Sequence, residues 1–302
     1  MTRLVQIIHP EYGRRVALVN GDELHLLSTY RTAYAFAMAA IETGQKLREL
    51  LSTDLTGIVL DYREVYALKS GWRFLPSFDH PEHTACCLIS GCANAHGANS
   101  SGLPAVPPWF TKGNGMHLRA HGEPLTIPAF AKGGAEEAEL AAVYLIGPDG
   151  IPRRVGLTPG NEFADPLMAQ DARLLSRAKL RNCAIGPELA LDAEFQDVPG
   201  SVAVERAIDG ISSAIWSKEI RTGEKHTAFR LKQIEQHHFE FEPHRIPGDV
   251  HVHFLGGSVS SYGDGVVLDE GDEVVIQWEG FGLPLRNPIQ REPAATHPVE
   301  SL

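Results

Sequence analysis

The sequence predicts a β-rich α+β fold, and three observations point to it. Apolar residues alternate, or run in short stretches bounded by turn residues, along most of the chain, which is typical of strands. Asn20-Gly21 and Asp209-Gly210 are hairpin-turn signals between such stretches. Helical periodicity is confined to a few segments, of which the longest run from Ser28 to Leu51 and from Thr227 to His238. A mixed fold in which strands dominate is therefore expected.

Composition places the chain among ordinary soluble proteins. Its 302 residues suggest about two domains, and 43% hydrophobic with 22% charged residues is enough to bury a full core. The formal net charge of -11 argues against a nucleic-acid partner. No apolar run is long enough to cross a bilayer, and the first residues lack the apolar core of a signal peptide. The four cysteines lack metal-motif spacing and suit a reducing compartment, so we expect a cytoplasmic protein with no membrane partner.

A polar, proline-containing break at residues 79–83 predicts a domain boundary. Residues 1–80 are predicted to form a small N-terminal α/β domain, in which a helix begins at Ser28-Thr29 and continues to Leu51. Residues 84–290 are predicted to form the larger domain. Residues 291–302 are predicted to be a frayed polar tail.

The segment from Gly133 to Gly147 is the most informative. Leu140–Ile146 is apolar or nearly so and ends in a Gly-Pro-Asp-Gly turn, which is typical of a strand buried on both faces. Because residues two apart in a strand share a face, Glu137 and Glu139 project side by side at its start. Two close carboxylates repel and their burial is costly, and a hard divalent cation removes both problems. The alternative is that the strand starts later and both glutamates lie on a solvated loop.

Two later features favour the cation interpretation. Val155–Asp165 predicts a second strand that ends in an acidic turn, and this strand could pair with the first and bring a third carboxylate alongside. Lys179 follows, at the end of a predicted short helix and ahead of Gly186-Pro187. A surface lysine is the alternative interpretation of Lys179.

These motifs, taken in order, resemble the fumarylacetoacetate hydrolase superfamily and its sugar-acid branch. They are Glu137–Leu140, Gly160–Asp165, Lys179 and Gly186-Pro187, and the resemblance covers about Cys86 to Ile289. It implies a fumarylacetoacetase C-terminal-like mixed β-sandwich roll with a small N-terminal α/β domain. It also implies Mg²⁺ as cofactor, with Mn²⁺ or Ca²⁺ as alternatives, and a homodimer or homotetramer.

The resemblance also assigns roles to residues. It implies that the metal ligands are Glu137, Glu139 and Glu162, with Asp165 in reserve because most relatives have aspartate at the third place. It implies that proton transfer belongs to Lys179 and to His96, which matches a family histidine by position in a glycine-rich loop. It implies that substrate binding involves Lys112, Gly257 and Ser258, although Lys112 could instead brace the loop. The family's threonine and proline are missing beside Gly257.

The implied activity is that of a magnesium-dependent hydro-lyase acting on a 2-keto-3-deoxy sugar acid. The 2-keto acid would bind the cation, an enolate would form, and loss of the C4 hydroxyl would convert 2-dehydro-3-deoxy-pentonate to 2,5-dioxopentanoate. The same site would also serve hydrolysis of a carbon-carbon bond in a 2,4-diketo acid, or decarboxylation. A non-catalytic sugar-acid binding protein would keep the carboxylates and need no acid-base partner.

The second half of the chain is also rich in histidine. The residues are His237, His238, His244, His251 and His253. The last two would share a strand face, as zinc ligands can, but no cysteine or further ligand stands at a recognised spacing. We expect a structural or hydrogen-bonding role for them.

Overall fold

The computed structural model describes residues 1–93, 106–296 and 298–302. Over this part of the chain the strands are β1 Arg3–His9, β2 Gly13–Asn20, β3 Glu23–Leu27, β4 Leu55–Asp61, β5 Arg73–Phe74, β6 Cys87–Cys92, β7 Trp109–Asn114, β8 Leu118–Arg119, β9 Leu125–Ile127, β10 Ala138–Ile146, β11 Pro152–Asn161, β12 Cys183–Ile185, β13 Leu189–Ala190, β14 Val198–Ile208, β15 Ile211–Thr222, β16 Val250–Phe254, β17 Asp272–Trp278 and β18 Leu285–Arg291. The α-helices are α1 Ala33–Thr43, α2 Leu47–Thr53, α3 Tyr62–Tyr66, α4 Pro166–Ala169, α5 Leu175–Lys179 and α6 Leu231–Phe239. None of the helices in the described ranges is both long and apolar enough to cross a membrane.

The strands form two sheets. The larger runs in the order β4-β3-β2-β1-β13-β11-β10-β16-β6-β7, and the short strands β5, β8 and β12 attach to it. The smaller runs β15-β14-β17-β18-β9 and contains the hairpin predicted around Asp209-Gly210. Both parallel and antiparallel pairs occur, as between β6 and β16 or between β10 and β11. The predicted β-rich α+β class is confirmed.

Strand β10 lies at the centre of the larger sheet, and every one of its residues is buried. Leu140, Ala142 and Tyr144 face the apolar core between the two sheets. Ala141 and Val143 face a second core, which helix α1 covers. A strand covered on both faces needs apolar residues at successive positions, which explains the uninterrupted apolar run in the sequence.

The long helix predicted from Ser28-Thr29 to Leu51 is wrong in its bounds, because two shorter helices occupy this segment. The Asp54 carboxylate accepts a hydrogen bond from the Thr29 N–H, so Thr29 lies outside the helix, and Thr32 caps α1 instead. Gly44 then adopts a left-handed conformation with φ 70° and ends α1 before α2 begins.

The N-terminal segment and the larger predicted domain share one sheet. Arg3 and Leu4 of β1 pair with Ala190 and Leu189 of β13, and the Arg3 guanidinium contacts the buried Glu188 carboxylate at 3.0 Å. Hydrogen bonds therefore cross the predicted boundary near residue 80. The division into residues 1–80, 84–290 and 291–302 stays a prediction.

Candidate metal centre

The pairing of β10 with β11 brings three carboxylates together. Glu139 lies opposite Gly160 in the register, and the Glu162 N–H donates to the Glu137 carbonyl at 3.0 Å, one residue beyond the end of β11. Because Glu137 and Glu139 are two residues apart, their side chains share one face at the start of β10. The Glu162 side chain joins them from the neighbouring strand.

One carboxylate oxygen from each of Glu137, Glu139 and Glu162 lies within 4.8 Å of the other two. Glu139 is 2% exposed and Glu162 is 1% exposed, whereas about a third of the Glu137 side chain, 31%, remains accessible. Three converging carboxylate oxygens, one of them open to solvent, suit a hard cation such as Mg²⁺. The prediction that these residues converge is confirmed, and the alternative, in which Glu137 and Glu139 lie on a solvated loop, is wrong for Glu139.

Lys179 lies beside the triad, where the sequence placed it, at the end of α5. Its Nζ donates to Glu137 Oε1 at 2.6 Å and also contacts Glu162 Oε2. The Phe110 ring lies 4.9 Å from the same Nζ and presents its face to the ammonium. Burial works against the charged form, but Glu162 and Glu137 outweigh it and raise the pKa of Lys179. The ammonium therefore serves as a counter-ion to two of the three carboxylates.

Lys112 is fully buried on the other side of Glu162. Its Nζ pairs with Glu162 Oε1 and donates to the Lys179 carbonyl at 3.0 Å, and it also donates to the Phe163 carbonyl. These three acceptors hold the ammonium in place. The contacts favour the interpretation in which Lys112 braces Glu162. The sequence interpretation in which Lys112 binds a substrate carboxylate stays a prediction.

Burial and mutual repulsion shape the titration of the triad. Burial and the neighbouring Glu162 raise the pKa of Glu137 to about 7, although Lys179 opposes the shift. Burial, Glu162 and Glu137 together raise the pKa of Glu139 well above its usual range. Three carboxylates beside two ammonium groups, Lys179 and Lys112, leave an excess of negative charge. A bound divalent cation would relieve the repulsion that raises these pKa values.

The segment after β16 borders the triad, and the role of Gly257 and Ser258 in substrate binding stays a prediction. The Gly256 N–H donates to Glu139 Oε2 at 2.7 Å. A Cβ on Gly257 would stand 3.4 Å from Glu139 Oε1, an ordinary van der Waals contact, so this residue lies directly against the triad. Ser258 is exposed. A substrate that reaches the accessible side of the triad would pass this segment.

Two further predictions concern Asp165 and His96. Asp165 caps helix α4, where its carboxylate accepts from the Leu167 and Met168 N–H groups, and it also accepts from the Lys132 N–H. The interpretation of Asp165 as a reserve ligand is therefore wrong, because the carboxylate is committed to backbone donors. His96 lies in residues 94–105, outside the described residues, so its role in proton transfer stays a prediction.

Sequence reasoning missed Glu136, the residue before the first ligand. Its carboxylate is fully buried and accepts from both the N–H and the hydroxyl of Ser261. Strand alternation could have found it, because a residue beside Glu137 must project to the opposite face.

The histidine cluster consists of His238, His244, His251 and His253. The His238 and His251 rings share a hydrogen bond of 2.9 Å between Nε2 and Nδ1, and His253 Nδ1 contacts the Ser90 hydroxyl at 2.5 Å. Burial lowers the pKa of His251 and of His253 to about 3. Within the described ranges, the glutamate triad is the one group of three or more acidic, histidine or cysteine residues whose ligand atoms lie close enough together to hold a metal ion. The geometry fits the structural role expected for the histidines.

Comparison with known proteins supports the fold. No family model matches the chain, and no curated protein matches it significantly. Solved structures do match. A 2-keto-3-deoxy-D-arabinonate dehydratase complexed with magnesium and 2,5-dioxopentanoate is similar over 97% of this chain and 100% of that one, with 16% identity and a TM-score of 0.73.

Two isomerase structures are similar as well. A 5-carboxymethyl-2-hydroxymuconate delta-isomerase from Mycobacterium smegmatis matches with 19% identity and a TM-score of 0.63, over 96% of this chain and 100% of that one. A 2-hydroxyhepta-2,4-diene-1,7-dioate isomerase from Mycobacterium marinum matches with 18% identity and a TM-score of 0.63, over 97% and 100%. These matches confirm the predicted fold, which the chain shares with these structures.

Proposed function

We propose that this protein is a magnesium-dependent hydro-lyase that dehydrates a 2-keto-3-deoxy sugar acid. The observation that carries the proposal is the convergence of Glu137, Glu139 and Glu162 with the Lys179 ammonium placed between two of them. The donor set of three carboxylates suits Mg²⁺. The similarity in fold to a 2-keto-3-deoxy-D-arabinonate dehydratase that binds magnesium adds support.

Glu137, Glu139 and Glu162 would hold the cation. When bound, the cation supplies Lewis acidity toward the keto and carboxylate oxygens of a 2-keto acid. Lys112 braces Glu162 from behind, and the Trp278 indole N–H donates to the Glu139 carbonyl at 2.9 Å, which fixes the start of β10. These contacts hold the carboxylates in place before a ligand arrives.

Lys179 is the group best placed to hold or move a proton. Its Nζ lies at the accessible edge of the triad, next to Glu137, and the Phe110 ring shields it from water on one side. In the proposed reaction a proton leaves C3 of the substrate and the C4 hydroxyl departs as water. Tautomerisation then gives a carbonyl group at C5, which for a pentonate substrate is the aldehyde of 2,5-dioxopentanoate. Lys179 takes or returns one of these protons at Nζ.

The experiment is a product assay with purified protein, Mg²⁺ and a panel of 2-keto-3-deoxy pentonates and hexonates. From a pentonate we expect a semialdehyde that reacts with an aldehyde reagent, and from a hexonate a 5-ketone, each formed only when Mg²⁺ is present. The matched control is the same protein after exchange into EDTA, followed by restoration of Mg²⁺.

Other products would decide between the alternatives. Pyruvate or acetate from a 2,4-diketo acid would identify a carbon-carbon bond hydrolase, which the same triad would serve, and loss of CO₂ would identify a decarboxylase. Ligand binding without turnover of any acid would identify a sugar-acid binding protein. Each of these results would contradict the dehydratase proposal.

A further inference from the structure

The segment that borders the triad is held at two points. At its start the Gly256 N–H donates to Glu139 Oε2 at 2.7 Å. Five residues later the Ser261 N–H donates to Glu136 Oε1 at 2.5 Å, and the Ser261 hydroxyl donates to Glu136 Oε2 at 2.8 Å. We call the four residues between these two anchors, 257–260, the rim. The rim includes Gly257, which lies against Glu139 and Glu137.

Both anchors belong to the same strand end. Glu136 stands immediately before the ligand Glu137, and Glu137 in turn is held by the Glu162 N–H, which donates to its carbonyl at 3.0 Å. The bond between the Ala164 N–H and the Ala135 carbonyl, at 3.1 Å, fixes the chain just ahead of Glu136. The rim is therefore attached at both ends to the same stretch of backbone that carries Glu137 and Glu139.

The second anchor, the contact between Glu136 and Ser261, requires a side chain that accepts two hydrogen bonds. Glu136 and Ser261 are both fully buried, so water is not available to replace either bond. A carboxylate offers an acceptor to the N–H and another to the hydroxyl, and such charge-assisted bonds are stronger than neutral ones. Because both oxygens are engaged with Ser261, Glu136 is not a fourth ligand, and it is absent from the converging triad.

We propose that Glu136 is a positioning residue that fixes the rim against the metal centre and thereby shapes the side from which the substrate of the proposed reaction reaches the triad. This inference rests on the proposed function, since it assigns the rim to the substrate of that reaction. Glu136 acts through Ser261 and touches neither metal nor substrate. It also explains why three of the four residues from 136 to 139 are glutamate although only two of them belong to the triad.

Three variants test the anchor. Glu136→Ala removes both bonds to Ser261, and Ser261→Ala removes only the hydroxyl bond. Glu136→Gln keeps both bonds, because its oxygen accepts from the N–H and its NH₂ donates to the Ser261 hydroxyl. The exposed Glu270→Ala is the matched control. A fourth metal ligand would not tolerate the glutamine, whereas a positioning residue does.

The first measurement needs no substrate. Amide hydrogen exchange of residues 256–262 is compared in the Mg²⁺-loaded proteins, because local opening governs exchange. We expect exchange at Ser261 to accelerate by about tenfold or more in Glu136→Ala, by less in Ser261→Ala, and not in Glu136→Gln. Unchanged exchange in both alanine variants would overturn the proposal.

The second measurement separates binding from chemistry. With the substrate found in the product assay, we expect KM to rise about tenfold in Glu136→Ala while kcat stays within about threefold. Mg²⁺ affinity, measured by calorimetry, stays within about threefold in all variants, and Glu136→Gln has a near-normal KM. A fall in Mg²⁺ affinity in Glu136→Gln, or a fall in kcat at unchanged KM, would contradict the positioning role. If no acid is turned over, the proposed function fails, and hydrogen exchange still decides whether Glu136 holds the rim.

Discussion

Two buried polar clusters border the same pair of strands, β10 and β16, and they accommodate polar groups in the protein interior in different ways. The carboxylate cluster, Glu137, Glu139 and Glu162 with Lys179 and Lys112, gathers charges and balances them only in part. In the histidine cluster, defined above, the His238 and His251 rings share a hydrogen bond, His253 contacts Ser90, and burial lowers the pKa values of His238, His251 and His253. The first arrangement is prepared for a cation. In the second, the bond between His238 and His251 joins helix α6 to strand β16, and within the described residues one buried ring nitrogen each of His238, His251 and His253 has no hydrogen-bond partner.

Removing a triad member has the largest expected effect. Glu162→Gln and Glu139→Gln each lose one anionic ligand, so we expect Mg²⁺ affinity to fall by at least about 100-fold. Turnover of the substrate should fall by about 1000-fold. Calorimetry and the product assay measure the two effects, and the exposed Glu194→Gln is the control. Wild-type Mg²⁺ affinity in Glu162→Gln would place the cation elsewhere.

Lys179→Met separates the catalytic role of the lysine from metal binding. We expect turnover to fall by about 100-fold to 10,000-fold, because the group that transfers a proton is lost. Mg²⁺ affinity should rise, since the ammonium no longer competes for Glu137 and Glu162. The exposed Lys132→Met should change neither quantity. Unchanged turnover in Lys179→Met would remove its catalytic role.

The histidine cluster predicts loss of stability in mild acid. The pKa of His253 is about 3 in the folded protein, below the 6.5 of an ordinary histidine, so the unfolded state binds more protons between these values. The contribution to stability is complete above about pH 6.5 and declines as the pH falls. We expect His253→Gln to reduce the slope of unfolding free energy against pH by up to about 1.4 kcal/mol per pH unit in that window.

Urea unfolding at a series of pH values measures this slope. The pKa of Glu137, raised to about 7, acts in the opposite sense, and comparing the variant with the wild type cancels its contribution. His237→Gln is the matched control, because His237 lies on helix α6 next to His238 of the cluster but is only partly buried. Equal slopes in His253→Gln and the wild type would refute the assignment of the acid sensitivity to the cluster.

Ser90→Ala has the smallest expected effect and tests whether the two clusters are independent. His253 Nδ1 loses its partner inside the core, so the free energy of unfolding should fall by about 1–2 kcal/mol. Mg²⁺ affinity should not change. The exposed Ser213→Ala is the control, and its unfolding free energy should stay within about 0.5 kcal/mol of the wild type. A change in Mg²⁺ affinity in Ser90→Ala would show that the clusters are coupled.

The sequence predicted more of the carboxylate cluster than of the histidine cluster, and the reasons are physical. Strand alternation alone placed Glu137 beside Glu139, because both belong to one strand. Glu162 and Lys179 required the resemblance to a family, since only the pairing of β10 with β11 and the position of α5 bring them near.

Other features depended on packing that spacing does not encode. His238 of α6 meets His251 of β16 only because the helix packs on the sheet, and nothing in the spacing of the two residues indicates this contact. Spacing also does not indicate that Lys112 is fully buried, because its acceptors belong to residues 50 and more positions away. Glu136 lay within reach of sequence reasoning, but its partner Ser261, 125 residues away, did not.

The central claim is that one cation binds among Glu137, Glu139 and Glu162. Diffraction from crystals soaked in Mn²⁺, recorded near the manganese absorption edge, locates such an ion directly. The account predicts one strong anomalous peak within coordination distance of an oxygen from each of the three carboxylates, with Lys179 Nζ moved off at least one of them. A peak at the histidine cluster instead, or no peak beside the triad at saturating Mn²⁺, would contradict it.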